Sequence, residues 1–99
     1  MQQEKYNIFL DSPMGLLSGS LDLYPTEGGV SGHIMMMGHG TMITQGKMED
    51  DIRDFAGTIW FEDNEVSFHA TGVLADGVLE LDVSIGPRTF SLTGFPVRI

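Results

Sequence analysis

The chain has 99 residues, of which 41% are hydrophobic, and a formal net charge of −9 from fourteen acidic and five basic residues. This length fits one domain spanning residues 1–99, with enough apolar side chains for a core. Because the basic residues stand singly, and clustered Lys and Arg are what neutralise phosphate, we expect neither a nucleic-acid partner nor binding to a membrane. Without cysteine, a long apolar run or a secretory signal, the sequence predicts a cytoplasmic protein, with an exported protein in mature form left open.

Glycine and other turn-forming residues divide the chain into short segments in which apolar side chains recur at every second position. In chain order, we predict strands at roughly 5–11, 16–24, 30–37, 41–48, 55–62, 65–74, 78–85 and 89–95. Asp76-Gly77 favours a tight type I′ hairpin between the sixth and seventh strands. Since every connection is short, sequential strands should pair. The predicted fold is therefore all-β, an antiparallel up-and-down meander of about eight strands forming a small barrel.

The alternation also predicts which side chains face the interior of the barrel. Six of about eight strands place a glycine there, which we attribute to the tight curvature of a small barrel. The fourth strand is predicted to turn Met42, Thr44, Gly46 and Met48 inward. The inward set contains no ionisable carboxylate, histidine, lysine or arginine, which argues against an acid–base site inside the barrel.

An interior of this kind leaves one binding function open, the transport of a small apolar ligand. The residues expected to line the mouth of such a pocket are Met36, Met42, Met48 and Phe61. The competing interpretation is that the inward side chains simply fill the barrel.

The outer surface is unusual for its methionine and aromatic side chains. Exposed apolar surface of this composition is typical of interfaces, so we expect a homo-oligomer, with a dimer favoured. Coverage of these side chains by a loop or by the N-terminal segment is the alternative. The predicted interface residues are Phe9, His33, Met35, Met37, Ile43 and Trp60.

The segment from His33 to His39 alternates imidazole and thioether side chains, with Met35 and Met37 between the two histidines. Such soft ligands suit monovalent copper. However, alternate residues of one strand lie about 6.5–7 Å apart and their side chains stand parallel, so a site would need a neighbouring strand. Packing or interface use is therefore favoured, and no metal or cofactor is predicted. An enzyme with a site on the outer face or between subunits, using His33, His39 or His69 as acid–base groups, is a further alternative, but no catalytic residue is assigned.

The short alternating strands, inward glycines and tight turns resemble calycin-type barrels, the superfamily that contains lipocalins and avidins. The early Gly-x-Trp of lipocalins is missing, since the only tryptophan is Trp60 in mid-chain. Small bacterial barrels of unknown function are the nearer comparison, and fold alone carries over no ligand or binding residue. The sequence thus predicts a non-catalytic barrel with a structural or protein-interaction role.

Overall fold

The computed structural model describes residues 3–97, which form eight strands. Each strand pairs antiparallel with the next, and β1 also pairs with β8, so that the sheet closes into a barrel. Within the same residues, no helix is long and apolar enough to span a membrane. The predicted all-β meander and its closure into a small barrel are confirmed. The strands are β1 (Glu4–Ser12), β2 (Gly15–Thr26), β3 (Gly29–Met36), β4 (His39–Glu49), β5 (Ile52–Phe61), β6 (Asn64–Ala75), β7 (Val78–Ile85) and β8 (Arg88–Pro96).

The connections alternate between the two ends of the barrel. Asp76 and Gly77 have φ angles of 53° and 76°, as the predicted type I′ hairpin requires. Met37 and Gly38 also have positive φ angles, which places Met37 in a turn rather than in the third strand, where the sequence predicted it. We call one end the polar end, which has the turns at 27–28, 50–51 and 76–77. The opposite aromatic end has the turns at 13–14, 37–38, 62–63 and 86–87.

Inward-facing glycines allow neighbouring strands to approach closely. A Cβ atom on Gly72 would collide with the carbonyl oxygen of Glu80 on β7, and one on Gly19 would collide with that of Met35 on β3. A larger residue could therefore enter these positions only if the strands moved apart. This agrees with the attribution of the inward glycines to tight curvature.

The predicted orientation of β4 is wrong over its first half. Ile43, predicted to face outward, is 1% exposed, whereas Met42, predicted to face inward, is 55% exposed. The pairing of β4 with β5 shifts between Ile43 and Gln45, so Thr44 is an extra residue in the ladder. The extra residue of a β-bulge shifts the alternation by one position, so that odd-numbered residues face inward before the bulge and even-numbered residues face inward after it. Past the bulge, Met48 is partly buried against the core, as predicted.

The prediction that the interior lacks ionisable groups is also wrong. Arg53 is buried, and its side chain binds the carboxylate of Glu4 inside the polar end. Glu4 lies two positions before the inward-facing Tyr6, and Arg53 lies two positions before the inward-facing Phe55. The alternation of each strand therefore turns both charged side chains toward the interior. These two charges were missed because the first and fifth strands were predicted to begin at residues 5 and 55, whereas β1 begins at Glu4 and β5 at Ile52.

Candidate functional site

Two exposed methionines lie on the outer surface of β3 and the first half of β4. Met35 is 44% exposed, and Met42 is more exposed still. In the sheet, His33 is the direct cross-strand partner of Met42, and Met35 is the partner of Gly40. Because Gly40 has no side chain, a groove of about 410 Å³ opens between these residues. We call this surface, comprising His33, Met35, Gly40 and Met42, the methionine face.

An aromatic pair joins β4 to β5 at the aromatic end of the barrel. The imidazole of His39 stacks on the indole of Trp60, with ring centroids 3.8 Å apart and an interplanar angle of 14°. Trp60 is partly buried on the outer side of β5, and Met37 is exposed in the adjoining turn. Of the six predicted interface residues, His33 and Met35 belong to the methionine face, whereas Met37 and Trp60 line a cavity at the aromatic end.

The remaining two predicted interface residues lie elsewhere. Ile43 is buried in the core because of the bulge in β4. Phe9 faces outward on β1, where its ring contacts that of Phe95 edge to face at a centroid distance of 5.9 Å. Its partner across the sheet is Ser18 of β2, so a serine-bearing strand separates Phe9 from the methionine face.

At the polar end, an ion pair joins strands on opposite sides of the barrel. The Arg53 guanidinium donates to both carboxylate oxygens of Glu4, at 3.0 and 2.8 Å, and to the carbonyl of Asp50 at 2.7 Å. The Tyr6 hydroxyl donates to the same carboxylate at 2.6 Å. Burial, together with this hydrogen bond to Glu4, raises the pKa of Tyr6 well above its usual value. The cluster therefore bridges the interior from β1 to β5.

At the aromatic end, apolar rings make the corresponding bridge. The rings of Phe61 on β5 and Phe90 on β8 lie 5.1 Å apart inside the barrel. The guanidinium of Arg88 lies over both rings, 5.5 and 5.0 Å from their centroids, and donates to Glu62 at 2.8 Å. Such an arginine combines cation–π attraction with an exposed ion pair.

The four predicted pocket residues do not converge on one cavity. Met36 and Phe61 are buried toward the aromatic end, Met48 lies toward the polar end, and Met42 is on the outer surface. A cavity of about 80 Å³ at the aromatic end touches Phe61 together with Leu17 and Trp60, but it touches none of the other three.

The three histidines lie on three different strands and do not form a common site. His69 lies 2.9 Å from the Asp54 carboxylate, and this hydrogen bond lowers the pKa of Asp54. Among residues 3–97, no hydroxyl hydrogen-bonds to His69, so the pair lacks the nucleophile of a triad. Nor do His, Cys, Asp and Glu side chains in this part of the chain form a group of three able to hold a metal.

Comparisons of the chain with protein families, with curated proteins and with solved structures find no match. The resemblance to calycin-type barrels therefore stays a prediction.

Proposed function

We propose that this protein is a non-catalytic interaction domain that self-associates through the methionine face. The observation that carries the proposal is the exposure of Met35 and Met42 on the neighbouring strands β3 and β4. Methionine and aromatic side chains are enriched where proteins bind one another, because they are large, apolar and adaptable in shape.

Charge favours a second copy of the chain as the occupant of this face. With a formal net charge of −9, two copies repel each other over most of their surfaces. The groove is lined by a single carboxylate, that of Asp22. By contrast, the groove on β6, β7 and β8 is lined by Glu80, Asp82 and several hydroxyl groups. Two methionine faces brought together around a two-fold axis would bury apolar surface at a lower electrostatic cost than two copies of this acidic groove.

The alternative of an apolar-ligand carrier has less support. A ligand in the interior would have to separate the Glu4–Arg53 bridge or the Phe61–Phe90 contact, each of which joins non-adjacent strands. It would also displace side chains that are almost fully buried, such as Met36 and Phe55. Self-association on the outer surface needs neither change.

Sedimentation equilibrium of single-site variants tests the proposal. Wild-type protein is expected to sediment as a dimer, and Met35→Glu and Met42→Glu as monomers, because each places a carboxylate at the centre of the apolar contact. Met37→Glu should weaken association less, since Met37 lies in the adjoining turn.

Phe95→Glu is the matched control. Phe95 is 47% exposed but lies on β8, beside Phe9 and away from the methionine face, so this variant should remain a dimer. A monomeric wild type at high protein concentration would contradict the proposal. Equal masses for the wild type and the Met35 and Met42 variants would contradict it as well.

A further inference from the structure

The bulge in β4 brings a third soft donor beside two others on β3. Because it turns Met42 outward, Met42 lies directly across the strand pair from His33, whose imidazole contacts the Tyr24 ring edge to face at a centroid distance of 5.8 Å. Direct cross-strand partners in an antiparallel sheet have Cβ atoms about 4.5–5.5 Å apart. Met35 follows on the same outer side of β3, two positions along. Two adjacent strands therefore supply one imidazole and two thioethers to the same surface. The alternate side chains of a single strand stand parallel and could not do this.

The space above Gly40 lets these side chains approach one another. The terminal methyl of Met35 lies 3.5 Å from the point that a Cβ atom on Gly40 would occupy. Met35 therefore leans over β4, the strand that carries Met42 two positions beyond Gly40. Both methionines and His33 line the same groove, and the unbranched methionine side chains can adjust within it.

From this arrangement we infer that His33, Met35 and Met42 form a binding site for monovalent copper. Thioether sulfur and imidazole nitrogen are soft or intermediate donors, which favour Cu(I) over the hard cations Mg²⁺ and Ca²⁺. One nitrogen and two sulfur atoms give a three-coordinate site of the kind that Cu(I) accepts. No change in oxidation state is part of this inference.

Asp22 occupies the position that a supporting carboxylate would need. It is the cross-strand partner of His33 on the side away from Met42. Its Oδ1 atom is buried and accepts no hydrogen bond within residues 3–97, while the Lys5 ammonium lies 3.8 Å away. Metal-binding histidines usually donate their second ring N–H to a carboxylate or carbonyl, which fixes the ring orientation. Asp22 is therefore assigned as the positioning residue for the His33 imidazole.

An anaerobic titration with Cu(I) against a chromophoric competing chelator tests the site. The wild type is expected to bind one Cu(I) per chain. Met35→Leu and Met42→Leu should each lower the affinity more than about tenfold, and Asp22→Asn about tenfold, which is the lower range for loss of a supporting residue. Met14→Leu and Met37→Leu are the matched controls and should bind as the wild type does. X-ray absorption at the copper edge should show sulfur neighbours, with fewer in Met42→Leu.

The leucine variants separate this inference from the proposed self-association. Leucine keeps the apolar surface of methionine but removes the sulfur, so these variants should still dimerise while losing copper affinity. The inference is overturned if the wild type takes no Cu(I) from the chelator. It is also overturned if Met42→Leu and Met37→Leu, both folded by circular dichroism, bind Cu(I) equally well.

Discussion

The two ends of the barrel are closed by different chemistry. At the polar end, an arginine on β5 binds a carboxylate on β1, and a tyrosine hydroxyl shares that carboxylate. At the aromatic end, phenylalanine rings on β5 and β8 meet inside, and the arginine lies over the rings on the outside. In both cases the contact joins strands that are not neighbours in the sheet.

A cross-barrel contact at each end joins non-adjacent strands through side chains inside the barrel, which stabilises the fold. The two closures should also respond differently to mutation and pH. The aromatic end depends on buried area and packing, whereas the polar end depends on charge pairing in a partly dehydrated environment.

The largest expected effect is at the aromatic end. Phe61→Ala should lower the free energy of unfolding by about 3–5 kcal/mol, because it removes a buried ring and leaves a cavity beside Phe90. Urea unfolding followed by circular dichroism measures this loss. A decrease below about 1 kcal/mol would mean that the two rings do not close the barrel.

Replacing the arginine at each end by alanine compares the two closures directly. Arg53→Ala should cost about 3 kcal/mol, because the Arg53 side chain is only 6% exposed and its loss leaves the Glu4 carboxylate without its cation. Arg88→Ala should cost less than about 1 kcal/mol, since the Arg88 side chain is 41% exposed. Equal losses in urea unfolding would contradict the distinction between the ends.

An effect between those of the two arginine substitutions concerns the tyrosine at the polar end. Tyr6→Phe should cost about 1.5 kcal/mol at neutral pH, the usual value for a hydrogen bond to a charged group. Because folding raises the pKa of Tyr6, its stabilising contribution is complete below about pH 10 and is lost as the pH rises further. The wild type should therefore lose stability above pH 10 more steeply than Tyr6→Phe. Parallel pH profiles of the melting temperature would contradict this account.

The sequence predicted the fold well because the signals for it are local. Alternating apolar residues, short turns and the Asp76-Gly77 hairpin each act within one or two strands, and together they leave few topologies open. The extra residue at Thr44 was not predictable in this way, because a bulge depends on how β4 pairs with β5 and leaves the alternation on each side intact.

The candidate site was predicted only in part for the same reason. His33 and Met35 follow the alternation of β3, so their exposure could be predicted from the sequence. Met42 could not be placed beside them, since its outward orientation results from the bulge. The pairing of Glu4 with Arg53 joins residues far apart in the chain, and no local pattern indicates it. Continuing the alternation of Tyr6 and Phe55 by two residues toward the N-terminus would have placed the charges of Glu4 and Arg53 in the interior.

Methyl NMR of the methionine side chains over a dilution series tests the central claim most directly, because methionines occur both on the outer face and in the core. The account predicts that the Met35 and Met42 methyl resonances shift with protein concentration, while those of the buried Met36 and partly buried Met48 do not. Resonances of Met35 and Met42 that stay constant while the protein passes from dimer to monomer would contradict it.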